Sequence, residues 1–301
     1  MKTRKWIFIL SAIVAGVFLF SSCQKNSNSA GVITPDDEVT VSDNALMENL
    51  LDDAMDAADQ ATMLVDAFIF DNNGSTLKSA SGVVVSDSCP TVTVDHPDAT
   101  HWPKVITIDY GDLCTGFWGH TRSGKIVITI TDRYMKPGSE RTVELVNYYC
   151  NGIHIEGTRT VKNEGRNENN NLVFRVELSG GKISRNDTVF MTRDFVRYRE
   201  WAAGEKTKNR WDDVFFITGE ANGVNFRGHT YHKVITSPLE WARSCRFIKS
   251  GTVSITIDDR PPVVLDYGDG TCDNLATLTR GDKTKEIQLK YHRNKCTKCG
   301  R

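Results

Sequence analysis

The chain has 301 residues, a formal charge of −1, 39% hydrophobic and 9% aromatic residues, which is enough to bury one large core or two ordinary ones. A charge so near zero excludes the basic face that a nucleic-acid partner needs and the polybasic patch that would hold lipid headgroups. Eight cysteines are many for a reducing compartment and ordinary for an exported protein.

Lys2, Arg4 and Lys5 open the chain, Trp6 to Phe20 is an almost unbroken apolar run, and Ser21 and Ser22 lead into Cys23. Residues 1–22 therefore have the three-part layout of a secretory signal, and the apolar run is shorter than the ~20 residues of a membrane span. A cysteine directly after two small residues resembles the processing site of bacterial lipoproteins, with Phe20 standing where Leu is usual. The resemblance implies cleavage before Cys23, acylation of its thiol and amino group, and an acyl anchor in the envelope, so that the membrane is a partner through lipid alone. Loss of three cations with the leader takes the charge from −1 to −4.

Residues 23–42 are polar and read as a lipid-anchored flexible tether. Over residues 43–69, Leu46, Leu50, Ala54, Ala57, Ala61, Leu64 and Phe68 recur at three- and four-residue steps behind a Ser42 or Asp43 cap. That spacing predicts an amphipathic helix, with Asp52, Asp53, Asp56 and Asp59 on a solvated opposite face. From Gly82 the period changes to two. Segments such as KVITIDY, RTVELVNYY, LVFRVEL and GTVSITID alternate, with Gly, Asn, Asp and Pro between them. The pattern predicts a mainly β, antiparallel, sandwich-like structure. Asn151-Gly152 and Asn222-Gly223 are expected hairpin turns.

An internal repeat divides this β region. Cys89 precedes VITIDYGDLC, which ends at Cys114, and Cys245 precedes VVLDYGDGTC, which ends at Cys272. The expectation is two duplicated halves, 80–165 and 172–292, with a break in the Asn-rich run 163–171. The matched spacing predicts disulfides Cys89–Cys114 and Cys245–Cys272, each closing a loop worth about 3 kcal/mol.

The tail, residues 293–301, carries Cys296 and Cys299 as a CxxC. With Cys150, these two leave three readings open: structural disulfide, zinc ligands with His292, or a redox couple. The two DYGD segments are oxygen-rich in the manner of calcium sites, yet their spacing is not that of an EF-hand loop, and a tight turn with Tyr110 and Tyr267 packing is the simpler reading. No HExxH, GxSxG, GxGxxG or P-loop motif occurs, so no catalytic residue and no cofactor are assigned. Trp201 and Trp211, flanking AAGEKTKN, are the aromatics best placed for ligand contact.

TGxxNGxNxxGxxY from Thr218 to Tyr231, ITSPLEWxxxCRxIxSGTVxI from Ile235 to Ile255, and VLDYGDGTCDN from Val264 to Asn274 resemble uncharacterised β-rich lipoproteins of the phylum Bacteroidetes. The similarity covers roughly residues 80–292. It implies location and architecture and carries over no chemistry. The expected role is a non-catalytic binding or structural one at the outer membrane, periplasmic or surface-facing, contacting glycan or a partner envelope protein. The alternative is an exported hydrolase acting on glycans through carboxylates on the β scaffold.

Overall fold

The first turn of the helix is built by four residues in a row. Thr34 caps the helix: its Nα donates to Asp37 Oδ2 at 2.7 Å, and Asp37 Nα donates back to the Thr34 carbonyl at 3.0 Å. Pro35 occupies the first helical position, where its missing N–H costs nothing. Asp36, Asp37 and Glu38 fill the first turn, where carboxylates favour the helix dipole. The computed structural model describes residues 32–66 and 89–289, apart from positions 97, 99, 116–119, 187, 208 and 246.

Helix α1 runs Pro35–Asp66, 32 residues, or about 48 Å. It starts eight residues before the expected Asp43, so residues 35–42 are helix where a tether is predicted; Phe68 and residues 67 and 69 lie outside the described residues. Val39, Thr40, Val41 and Ser42 are weak helix formers, but the cap and the docking of this turn override them. Thr40 is fully buried, and its Oγ1 accepts from Asn225 Nδ2 at 2.9 Å.

The strands are β1 (Thr91–Val94), β2 (Lys104–Asp109), β3 (Cys114–Thr115), β4 (Thr121–Ile130), β5 (Glu140–Cys150), β6 (Ile153–Arg166) and β7 (Leu172–Arg185). There follow β8 (Thr188–Ala203), β9 (Val214–Val224), β10 (Thr230–Ala242), β11 (Ser250–Ile257), β12 (Val263–Asp269), β13 (Leu275–Arg280) and β14 (Lys283–Gln288). All are antiparallel and belong to one sheet, in the order β1-β2-β4-β5 and onward to β14, with β3 paired to β4. The mainly β, antiparallel class is therefore present, as one meander and not as two stacked sheets.

The Asn-rich run 163–171 forms the end of the β6–β7 hairpin. Asn167 and Asn171 close it backbone to backbone at 3.0 Å, and Asn170 takes φ +62°. Asn151 and Gly152 form the expected tight turn with φ +50° and +75°. Asn222-Gly223 does not turn. It pairs with His232 and Tyr231 inside the β9–β10 ladder, because the chain reverses later, at 225–229.

Two main cores share the helix. Its carboxyl-terminal half contributes Leu50, Ala54, Ala58 and Ala61 to a cluster with Ile106, Ile126, Ile128, Ile153 and Ile155. Ile33 and Val41 at its other end pack against Tyr231, Val253, Ile255, Val263 and Leu278. Ion pairs hold both ends. Asp37 grips Arg280, Asp36 meets Arg227 and Arg260, Glu38 meets Lys285, and Asp59 meets Arg141 at 2.6 Å. The acidic face expected to be solvated is, at Asp59, a docking contact.

Candidate ligand-binding depression

Strand β10 does not stay in register with its neighbours. Pairing with β9 passes from Val234–Glu220 to Leu239–Ile217, leaving two extra residues on β10, and pairing with β11 shifts twice over the same stretch. Pro238 lies there. Proline has no N–H to give a ladder, so inside a sheet it belongs at a bulge. Two glycines admit the distortion. A Cβ on Gly219 (φ +129°) would lie 2.2 Å from the Val196 carbonyl oxygen, and one on Gly251 (φ +104°) 2.3 Å from that of Pro238.

The bulge leaves an open depression of about 380 Å³ on the outer face of the sheet, lined by Val173, Tyr198, Glu200, Phe216, Thr218 and Pro238, a volume within the range of small-ligand sites. Alternation places these side chains together. Tyr198 pairs with Thr218 and Glu200 with Phe216 across β8–β9, and Val173 pairs with Glu200 across β7–β8. Tyr198 is 44% and Phe216 38% exposed, so both rings offer a face to solvent.

Glu200 is the one charged residue in the lining. Asn171 Nδ2 donates to its Oε1 at 2.7 Å. That amide, aided by Asn167 and Asn169 from the same hairpin, holds the carboxyl below its usual range against the opposing effect of desolvation. Arg175 bonds the Tyr198 side chain but is engaged first by Glu177, with Arg175 Nη1 2.5 Å from Glu177 Oε2.

Trp201 and Trp211 do not join this site. Trp201 points to the opposite face of β8 and packs on Phe215, ring centroids 5.4 Å apart. Trp211 is 68% exposed in the 3-10 turn Arg210–Asp212, whose capping residue is Asn209. Neither tryptophan lines the depression. Tyr198, Glu200, Phe216 and Pro238 went unmarked by sequence pattern; the proline within the strand-like ITSPLEW is the one signal that points to them.

The matched cysteines meet. Cys89 joins Cys114 and Cys245 joins Cys272, with Cα atoms 5.6 and 5.8 Å apart. In both units the first Asp of DYGD accepts from the glycine N–H two residues on, Asp109 from Gly111 and Asp266 from Gly268, each at 2.9 Å. Tyr110 is buried and Tyr267 packs on the second core. The segments that follow differ, Gly124 lying within β4 and Gly281 between β13 and β14. Cys150 is fully buried and disulfide-bonded; Cys23, Cys296 and Cys299 lie outside the described residues. Among the described residues no group of three His, Cys, Asp or Glu side chains is arranged to hold a metal.

No family model matches the chain, and no curated protein or solved structure was found similar to it.

Proposed function

We propose that this protein is a lipid-anchored, non-catalytic glycan-binding component of the bacterial cell envelope. The observation that carries the reading is the outer depression, where two exposed aromatic rings and Pro238 flank the Glu200 carboxylate and the Thr218 hydroxyl. Pyranose rings present apolar C–H faces and hydroxyl edges, and such a site offers a stacking partner for the first and acceptors for the second. Hydrolysis by an acid and a base needs a second carboxylate close by, and the lining holds Glu200 alone.

The leader and Cys23 support envelope anchoring, and two disulfides suit an oxidising compartment. Anchoring at Cys23 would tether the end of the molecule where α1 begins, beside Asn225. Phe216 lies nine residues along β9 and its turn from Asn225, or about 30 Å, so the depression would sit well away from that end.

The test is a panel of soluble oligosaccharides titrated against the full chain in detergent. Binding that falls at least about tenfold in both Tyr198→Ala and Phe216→Ala is expected. No binding by any glycan, or binding indifferent to both substitutions, would remove this reading. The intact mass of the protein from membranes reports acylation at Cys23 directly.

A further inference from the structure

We infer that the depression selects glycans carrying a free, protonated amine, so that its ligand class is partly or wholly deacetylated amino-sugar oligomers. The inference rests on the glycan reading above and adds the charge of the ligand.

Charge complementarity carries it. Among the six lining residues there is one anion and no cation. Among the described residues, the hydrogen bonds that Glu200 accepts come from neutral amides. Arg175, which also bonds the Tyr198 side chain, is engaged first by Glu177 and lies outside the lining. The flanking rings add to the same preference, because an aromatic face is the negative end of the ring quadrupole and attracts a cation within about 6 Å. Tyr198 and Phe216 lie on adjacent strands as diagonal neighbours, Tyr198 opposite Thr218 and Phe216 opposite Glu200. An ammonium group above Glu200 therefore meets a carboxylate and two ring faces at once, while the rest of the sugar covers Pro238 and Val173.

Other ligands gain less. A neutral N-acetyl sugar keeps the stacking and loses the ion pair. A uronic acid or sulfated sugar meets Glu200 with like charge. A lysine-rich peptide satisfies Glu200 but has no flat C–H face for the rings.

Calorimetric titration of the full chain in detergent, at about pH 6 where the sugar amine is protonated, separates these cases with three probes: the glucosamine tetramer, the N-acetylglucosamine tetramer and tetralysine. The expected result is that the free-amine tetramer binds at least about tenfold more tightly than either of the others. Glu200→Gln keeps the oxygen that accepts from Asn171 and should bring the two sugar tetramers to similar affinity. Phe216→Ala should weaken both.

Equal binding of the two sugars, or a preference unmoved by Glu200→Gln, would overturn the amine assignment and leave the glycan reading standing. Tetralysine binding as tightly as the free-amine tetramer would overturn it in favour of a cationic peptide. Failure of both sugars to bind, as well as of the wider panel, would remove the glycan reading itself.

Discussion

Asp37 in the first turn of α1 and Arg280 at the end of β13 form a two-pronged ion pair across 243 residues of chain. Arg280 Nη1 donates to Asp37 Oδ2 and Nη2 to Oδ1, each at 2.8 Å. Their side chains are 0% and 2% exposed. Arg280 Nη1 also donates to the Val32 carbonyl at 2.9 Å. Neither charge has water to fall back on, so each depends on the other.

Removing one partner strands the other. Asp37→Ala and Arg280→Ala are each expected to cost about 3–5 kcal/mol, whereas the double change Asp37→Leu with Arg280→Met should recover most of the loss. Urea denaturation midpoints of the three variants check this. Single variants as stable as the parent would show that the pair contributes nothing to holding the helix.

Glycine at 251 is a packing requirement, and glycine at 228 is only a backbone one. Gly228 has φ +82° and a Cβ there would meet nothing within 4 Å, while a Cβ on Gly251 meets the Pro238 carbonyl oxygen at 2.3 Å. Gly228→Ala should therefore cost about 1–2 kcal/mol of backbone strain. Gly251→Ala should cost distinctly more and also reduce ligand binding, because the bulge that shapes the depression must shift. Thermal melts of the two variants, read side by side, decide it.

The Cys89–Cys114 and Cys245–Cys272 disulfides staple different parts of the sheet. Cys89 and Cys114 close onto the β1–β4 side, and Cys245 and Cys272 onto β11–β12. Replacing either pair by serine should cost about 3 kcal/mol, from loops of 25 and 27 residues. Sites this separate should add, so the quadruple variant should lose the sum of both. Calorimetry of the three serine variants tests the additivity.

Glu200 sets an acid limit. Its carboxyl titrates below the ordinary glutamate value of 4.5, chiefly because Asn171 donates to the ionised form. A depressed carboxylate stabilises the fold above its unfolded pKa and loses that contribution as pH falls through the lower folded value. The difference in melting temperature between the parent and Glu200→Gln should thus be constant from about pH 7 to about pH 5 and change only in stronger acid. Asn171→Ala should move that acid limb upward. Carbon-13 detection of the Glu200 carboxyl resolves both titrations.

Much of the β architecture is legible as alternation. Ile106 and Ile108, or Val253, Ile255 and Ile257, are buried at every second position, and that period follows from the pleat. The cysteine pairs are legible because DYGD recurs at nearly the same place between the two cysteines of each pair. The start of α1 is not, since Val39 to Ser42 look unhelical until Thr34, Asp37 and Asn225 are in place. The depression is hidden for a different reason. Its six residues come from four strands, and which of them meet depends on register, which alternation leaves free. Gly219 and Gly251 read as punctuation in one dimension, and only the folded sheet reveals the carbonyl oxygens pressed against them.

The long reach from Asp37 to Arg280 also fixes an order of events. A ribosome makes the helix before every strand and its buried counter-charge more than 240 residues later, so the amino-terminal turn of α1 cannot be locked until β13 has emerged. Contacts of such range are slow to close. A chain cut short anywhere before β13 would lose the lock at its opposite end, and damage to the carboxyl-terminal strands would first be felt at the amino-terminal helix.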